Sequence, residues 1–172
     1  ENGVIQGEVH DIARKVLDHA EVEYQFYIRP WARIYSKGLI TKDRIIVGLG
    51  RTSKREHLFH WIGPVTKGVK VHFYKLKETS FTVNSIEDIH KHITAVVRGS
   101  YFNDYLNLNG FTEKHIYMVT EIEHTILMLT RRRIDFILIT EKDLKNNAEM
   151  LEIDFELFQK SLFAFSVIDY MA

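Results

Sequence analysis

Ile45-Ile46-Val47-Gly48-Leu49-Gly50-Arg51-Thr52-Ser53-Lys54-Arg55-Glu56 is the stretch whose reading decides the fold. An apolar run leads into a small-residue turn and then a polar segment, which predicts a buried strand, a tight turn and the start of a helix. Ser53 and Glu56 have capping-box spacing, so Ser53 can cap the helix while Glu56 reaches back to it. Gly48 and Gly50 let a ligand approach the backbone closely. First-turn amides point at that space, and Arg55 adds a planar fork of charged donors. The pattern predicts a site for a carboxylate or another small anion.

Reading outward, Gly7 to Ala20 has helical spacing of Val9, Ile12, Ala13, Val16 and Leu17. Val22 to Ile28 alternates as a strand would, and Pro30 ends it. Trp31 to Leu39 predicts a short helix, Ile45 to Leu49 a buried strand and Ser53 to Phe59 another short helix. Gly63-Pro64 through Gly68 is punctuation and the best candidate boundary. A second series follows: a strand over Val69 to Leu76, a helix opened by Ser85 with Asp88 three residues on, and a strand over Thr94 to Val97. Next come a helix over Tyr101 to Leu108 closed at Gly110, a strand over Ile116 to Val119, and a helix over Glu121 to Arg132. A strand over Phe136 to Ile139, a helix over Glu141 to Leu151 and a last strand over Leu162 to Ser166 complete it. Strands alternating with helices predict an α/β fold with parallel sheets. The two halves echo each other, Val47 to Ser53 matching Val96 to Tyr101 as strand, glycine turn and helix start. Ligands in open α/β sheets sit beyond the carboxyl ends of the strands. Two such ends facing each other would enclose a small solute, with Arg55 on one wall and Arg98, Ser100 and Tyr101 on the other.

Composition bounds the function. The 172 residues suit one domain or two small lobes. Acidic and basic residues balance at 23 each, so no basic field supports nucleic-acid binding. The absence of cysteine fits an oxidising compartment, and a cytosolic chain can also lack it. No apolar stretch is long enough to cross a bilayer, so direct membrane insertion is not expected. The opening Glu1-Asn2-Gly3 lacks a signal peptide and reads as that of a processed or trimmed chain.

Each candidate residue has a structural alternative. Arg55 can be a helix-surface arginine, Arg51 a solvated loop residue, and Arg98 the partner of an acidic neighbour. Ser100 and Tyr101 gain from a helix N-terminus. Trp31 can stack on ligand or pack beneath the fold, and Arg33 shares its helix. His57 and His60 are three apart, but two ligands without a third make a poor metal site. His90 and His92 read as a helix end, and Arg131 to Arg133 as a terminus matched to the helix dipole. Asp11 and Asp135 read as structural. No nucleophile lies in a recognisable catalytic context, and there is no nucleotide-binding glycine pattern. No enzyme activity, metal or cofactor is expected.

The ordered set Gly7-Glu8-Val9-His10-Asp11-Ile12-Ala13, Pro30-Trp31-Ala32-Arg33, Gly48 to Glu56, Phe59-His60-Trp61-Ile62-Gly63-Pro64, Val96 to Tyr101 and Arg133-Ile134-Asp135-Phe136 resembles extracellular solute-binding proteins of family 3. These are the polar-amino-acid-type receptors of ABC importers, with the type II periplasmic binding fold. The resemblance implies a two-lobe α/β architecture: lobe one over residues 1–64, lobe two over 65–161, and a second crossing over 162–172. It implies that an arginine at Arg55 clamps a ligand carboxylate, that groups around Gly50 and Thr52 assist, and that the Ser100-Tyr101 turn caps the same anion. Where amino-acid-binding members place an acid for the ligand ammonium, this chain has Thr140, which points away from a plain α-amino acid. Family chains also carry a strand ahead of Gly7 and helices beyond Ala172, so lobe one looks clipped at both ends: either the chain is part of a longer one or another chain completes it. The implied function is capture of a small carboxylate-bearing solute in the periplasm for a membrane ABC permease. The alternatives are the sensor module of a membrane signalling protein and an enzyme resembling cyclohexadienyl dehydratases.

Overall fold

The computed structural model describes residues 7–172. Glu1 to Gln6, the opening of the expected first lobe, lie outside the described residues. The chain divides into two compact units: one takes the stretch up to Arg29 with Arg33–Val69 and Val167–Ala172, the other Pro30–Ala32 with Lys70–Ser166.

The first unit is built on helix α1 (Glu8–His19), most of α2 (Trp31–Gly38) and a sheet of β1 (Val47–Gly50), β2 (Gly63–Pro64) and β8 (Asp169–Met171). The order is β1-β8-β2, so the last strand in sequence lies in the middle, antiparallel to both neighbours. Ala13 and Leu17 of α1 pack with Val65 and Met171 to form its core, as the helical spacing predicts. Register shifts between Val47 and Leu49, where Gly48 takes φ 84°, a left-handed conformation that glycine adopts without a Cβ penalty.

Three expectations fail here. Val22 to Ile28 is not a strand. Its alternation meets no sheet edge, and strand propensity has force only against a pairing neighbour. Phe26 instead packs on α1, its ring 4.4 Å from that of His10, while the Tyr24 hydroxyl donates to Asp18 at 2.7 Å. Ser53 to Phe59 is not a helix but a run of turns, in which the Arg55 amide donates to the Thr52 carbonyl and that of Leu58 to the Arg55 carbonyl, each at 2.9 Å. So short a segment is hard to nucleate alone, and Glu56 is drawn off by Arg51 rather than returning to Ser53. The sheet is antiparallel rather than parallel, and β2 and β8 are strands that periodicity did not suggest.

The second unit holds β3 (Val69–Leu76), α3 (Ile86–Ile89), β4 (Thr94–Val97), α4 (Tyr101–Leu108), β5 (Ile116–Val119), α5 (Ile122–Thr130), β6 (Phe136–Thr140), α6 (Glu141–Met150), a 3-10 turn (Phe155–Leu157) and β7 (Phe158–Val167). Sheet order is β5-β4-β6-β3-β7. The pairs β4–β5 and β4–β6 are parallel as expected, whereas β3 runs antiparallel to β6. All five residues of β6 are buried, which explains its unbroken apolar run. One face packs Tyr74, Ala95, Ile137 and Ile139 against Ile126, Leu129, Leu144 and Ala148 of α5 and α6. The other carries an aromatic cluster in which Phe73 meets Phe111 and Phe136 at 6.3 and 6.2 Å. The last long strand starts at Phe158, four residues before the expected Leu162. At α3 the Asp88 carboxylate accepts from the Ser85 amide at 3.2 Å, within the capping box that the spacing suggests.

Candidate functional site

Gly50, Arg51, Thr52 and Arg55 lie together at the carboxyl end of β1. Arg55 is 0% exposed, and its guanidinium carbon stands 4.7 Å from the centroid of the Tyr35 ring. Taking a cation out of water is costly unless other groups compensate, and an aromatic face supplies part of that. The Thr52 hydroxyl, joined to Arg55 through the turn, is buried and has no hydrogen-bond partner among the described residues. Gly50 is buried in the sheet, opposite Asp169.

Arg51 behaves differently. Its Nε and Nη2 donate to the two Glu56 oxygens at 2.9 and 2.5 Å, and the guanidinium lies 5.2 and 5.0 Å from the rings of Trp61 and Tyr170. The hydrogen bond to Glu56 raises the Arg51 pKa, and the same bond lowers that of Glu56. Its fork is therefore already engaged by a carboxylate of its own chain. His57 sits in a turn and His60 in the irregular segment after it, not on a helix, and no group of three or more metal-ligating side chains occurs among the described residues.

In the second unit, parallel β4, β5 and β6 deliver their carboxyl ends to one edge of the sheet, and the remaining candidates collect there. Gly99 turns the chain from β4 into α4 with φ 70°, and the Trp31 indole Nε1 donates to its carbonyl at 2.9 Å. Ser100 is buried and caps α4, its hydroxyl accepting from the Asn103 amide at 3.3 Å. Tyr101 is half-buried against Phe102 and Phe165, with centroids 4.5 and 6.0 Å away. Arg98 is exposed, and its backbone amide donates to the Val119 carbonyl at 2.9 Å. Trp31 is thus brought to the Arg98-to-Tyr101 turn, a contact that no local pattern reveals because 68 residues separate the pair.

Thr140 caps α6. Its hydroxyl accepts from the Asp143 amide at 3.1 Å and donates to Asp143 Oδ2 at 2.7 Å, so both its polar functions are used. Glu141 turns to Lys145, at 2.8 Å, and to Lys160. Those bonds, Lys145 first, hold its carboxyl down to about 2. The folded pKa lies below the ordinary 4.5, so the stabilisation is complete above that value and is lost as pH falls toward about 2. Glu141→Gln is expected to lower the melting temperature slightly at pH 7, the pair being largely solvated, and to flatten the acid limb so that the two profiles converge as pH falls toward about 2. A profile identical to the parent's would show the pairing to be without weight. Asp135 is structural as read, accepting from the Ile93 amide at 2.9 Å.

The residues that sequence reasoning missed are Tyr35, against Arg55, and Asp143, against Thr140. Asp143 stands at capping-box spacing from Thr140, a signal that was legible. Tyr35 shows only as one turn of helix beyond Trp31. Among the described residues, no helix is long and apolar enough to cross a membrane.

No protein-family model matches the chain, and no curated protein matches it in sequence. Solved structures do match. A histidine kinase sensor domain with similarity to periplasmic binding proteins aligns at TM-score 0.86 and 14% identity, over 100% of this chain and 74% of that one. The holo arginine-binding protein of T. maritima aligns at 0.81 and 17%, over 99% and 74%. The GluR0 ligand-binding core from Nostoc punctiforme, in complex with glutamate, aligns at 0.79 and 16%, over 97% and 76%. The chain has the mixed α/β fold of periplasmic binding proteins.

Proposed function

We propose that this chain is a ligand-binding domain for a small, carboxylate-bearing, amino-acid-like solute, of the family 3 solute-binding type, working outside the cytoplasm. The observation that carries the reading is the fully buried Arg55 in the turn after β1, whose amide donates to the carbonyl of Thr52, a residue with a buried hydroxyl that makes no hydrogen bond among the described residues. A buried guanidinium in the same turn as a spare hydroxyl suits an anion with several acceptor oxygens. Because Arg55 has no exposed surface, the solute reaches it only when its cover parts, so binding is coupled to local opening. The solved structures of like fold include arginine- and glutamate-bound proteins, which supports an amino-acid-like guest. In this reading Gly50 and Thr52 assist Arg55 from the turn after β1, and in the second unit Ser100 and Tyr101 offer donors at the start of α4, with Trp31 and Arg98 about the same turn.

The output is import, with a membrane ABC permease as partner. A second reading, the sensor module of a signalling protein, is favoured by the likeness to the kinase sensor domain. Thermal-shift screening against amino acids, opines and dicarboxylates tests the ligand class. A binder at 100 times its dissociation constant adds about 2.7 kcal/mol and is expected to raise the melting temperature by about 5–10 °C. No shift with any carboxylate would reject the reading. Stimulation of permease ATP hydrolysis by the loaded protein in proteoliposomes separates import from sensing.

A further inference from the structure

The second unit holds a cavity of about 280 Å³ that the proposed solute site does not use. It lies between the loop after β3 and the start of β7, walled by Lys75, Ser80, Phe81, Thr82, Lys160 and Ser161. Register places it. Val71 of β3 stands opposite Thr140, and Tyr74 opposite Ile137, so Lys75 continues toward the edge where β6 begins, away from the Thr140 end.

Lys75 is only 7% exposed. Its ammonium donates to the carbonyls of Thr79 and Phe81 at 3.1 and 2.9 Å, both on the cavity wall, and stands 4.9 Å from the Phe81 ring centroid. An ammonium has three donors, so one remains for a guest. No carboxylate pairs with Lys75 among the described residues, and no Asp or Glu lines the cavity. Lys160, the other cation of the wall, is neutralised by Glu141. The site thus combines a buried positive charge with the hydroxyls of Ser80, Thr82 and Ser161 around an open mouth.

We infer that this cavity is a second, independent binding site for a small free oxyanion of the phosphate or sulfate type, held by the Lys75 ammonium and the hydroxyls of the loop after β3. The test is a titration of the ¹⁵N-labelled chain with inorganic phosphate, followed through amide shifts, with sodium chloride at matched ionic strength as control. Expected are saturable shifts confined to Ser80, Thr82 and the Lys160-Ser161 strand, absent with chloride. Lys75→Met is expected to abolish them. If that variant does not fold, Ser80→Asp, which sets a carboxylate at the exposed mouth, is expected to weaken phosphate binding by roughly tenfold or more. Arg55→Met is expected to leave these shifts intact, which separates this site from the proposed solute site. Shifts that do not saturate, that chloride reproduces, or that survive Ser80→Asp overturn the inference. A response to phosphatidylglycerol vesicles without one to free phosphate also overturns it.

Discussion

Arg55→Met is expected to weaken binding of the carboxylate solute by about 30-fold to several thousand-fold, the equivalent of the roughly 2–5 kcal/mol lost when one partner of a buried, hydrogen-bonded charge pair is removed. Methionine is the informative replacement. It fills much of the same volume with a flexible apolar chain and leaves no cation to be desolvated. Removing one member of a buried polar contact is costly, and an apolar filler limits the loss to that contact. The melting temperature of the unliganded variant is therefore expected to fall less than that of Arg55→Ala, while calorimetry with the solute found by screening records the loss of binding. Arg55→Ala gives a less readable answer, because a wholly buried residue truncated to a methyl leaves a cavity. Wild-type affinity in a folded Arg55→Met protein would remove the guanidinium from the site and the proposed function with it. Arg51→Met is expected to differ: Arg51 is exposed, its fork is closed by Glu56 and its charge rests on the half-buried rings of Trp61 and Tyr170, so a small change in affinity is predicted.

Local periodicity located most elements of the second unit, because each has a strong internal signal. Phe136 to Ile139 is uniformly apolar, Ser85 to Asp88 has capping spacing, and α5 carries Ile122, Ile126 and Leu129 on one side. The first unit was less legible, for a physical reason. Its sheet joins Val47–Gly50 and Gly63–Pro64 through Asp169–Met171, more than a hundred residues away, and no local pattern encodes so distant a pairing. Val22 to Ile28 shows the converse: it has a strand's alternation but no edge to join. The helix expected at Ser53 does not form, and Arg55, the central residue of the anion-site reading, is buried in a turn instead. What failed was the device, a helix N-terminus. What remains is a guanidinium held in a tight turn under Tyr35. Thr140 stands where the family resemblance implies an acid, and its hydroxyl is committed to Asp143 at the start of α6.

Phe136→Ala is expected to cost about 3–5 kcal/mol of stability, the range for truncating a buried aromatic side chain. Phe136 is 0% exposed and opens β6, the central strand of the five-stranded sheet. Its ring meets Phe73 at 6.2 Å, Phe81 at 5.4 Å and His92 at 5.6 Å, so truncation forfeits aromatic contacts as well as buried area. Set against the roughly 5–15 kcal/mol that holds a domain folded, this is a large fraction. For a chain of this size it corresponds to a fall in melting temperature of about 6–20 °C. Calorimetry of Phe136→Ala beside Tyr117→Ala, a half-exposed control on β5, reads the contrast. A loss under about 1 kcal/mol would mean that the sheet is not packed around this ring. The consequence reaches further than stability. Phe81 rests on Phe136 and offers its carbonyl to Lys75, so the wall of the oxyanion cavity is supported from the core. Phe136→Leu, which keeps an apolar filler but not the ring, is expected to retain most of the stability and still weaken phosphate binding, because the Phe81 loop loses its aromatic support while Lys75 keeps its charge.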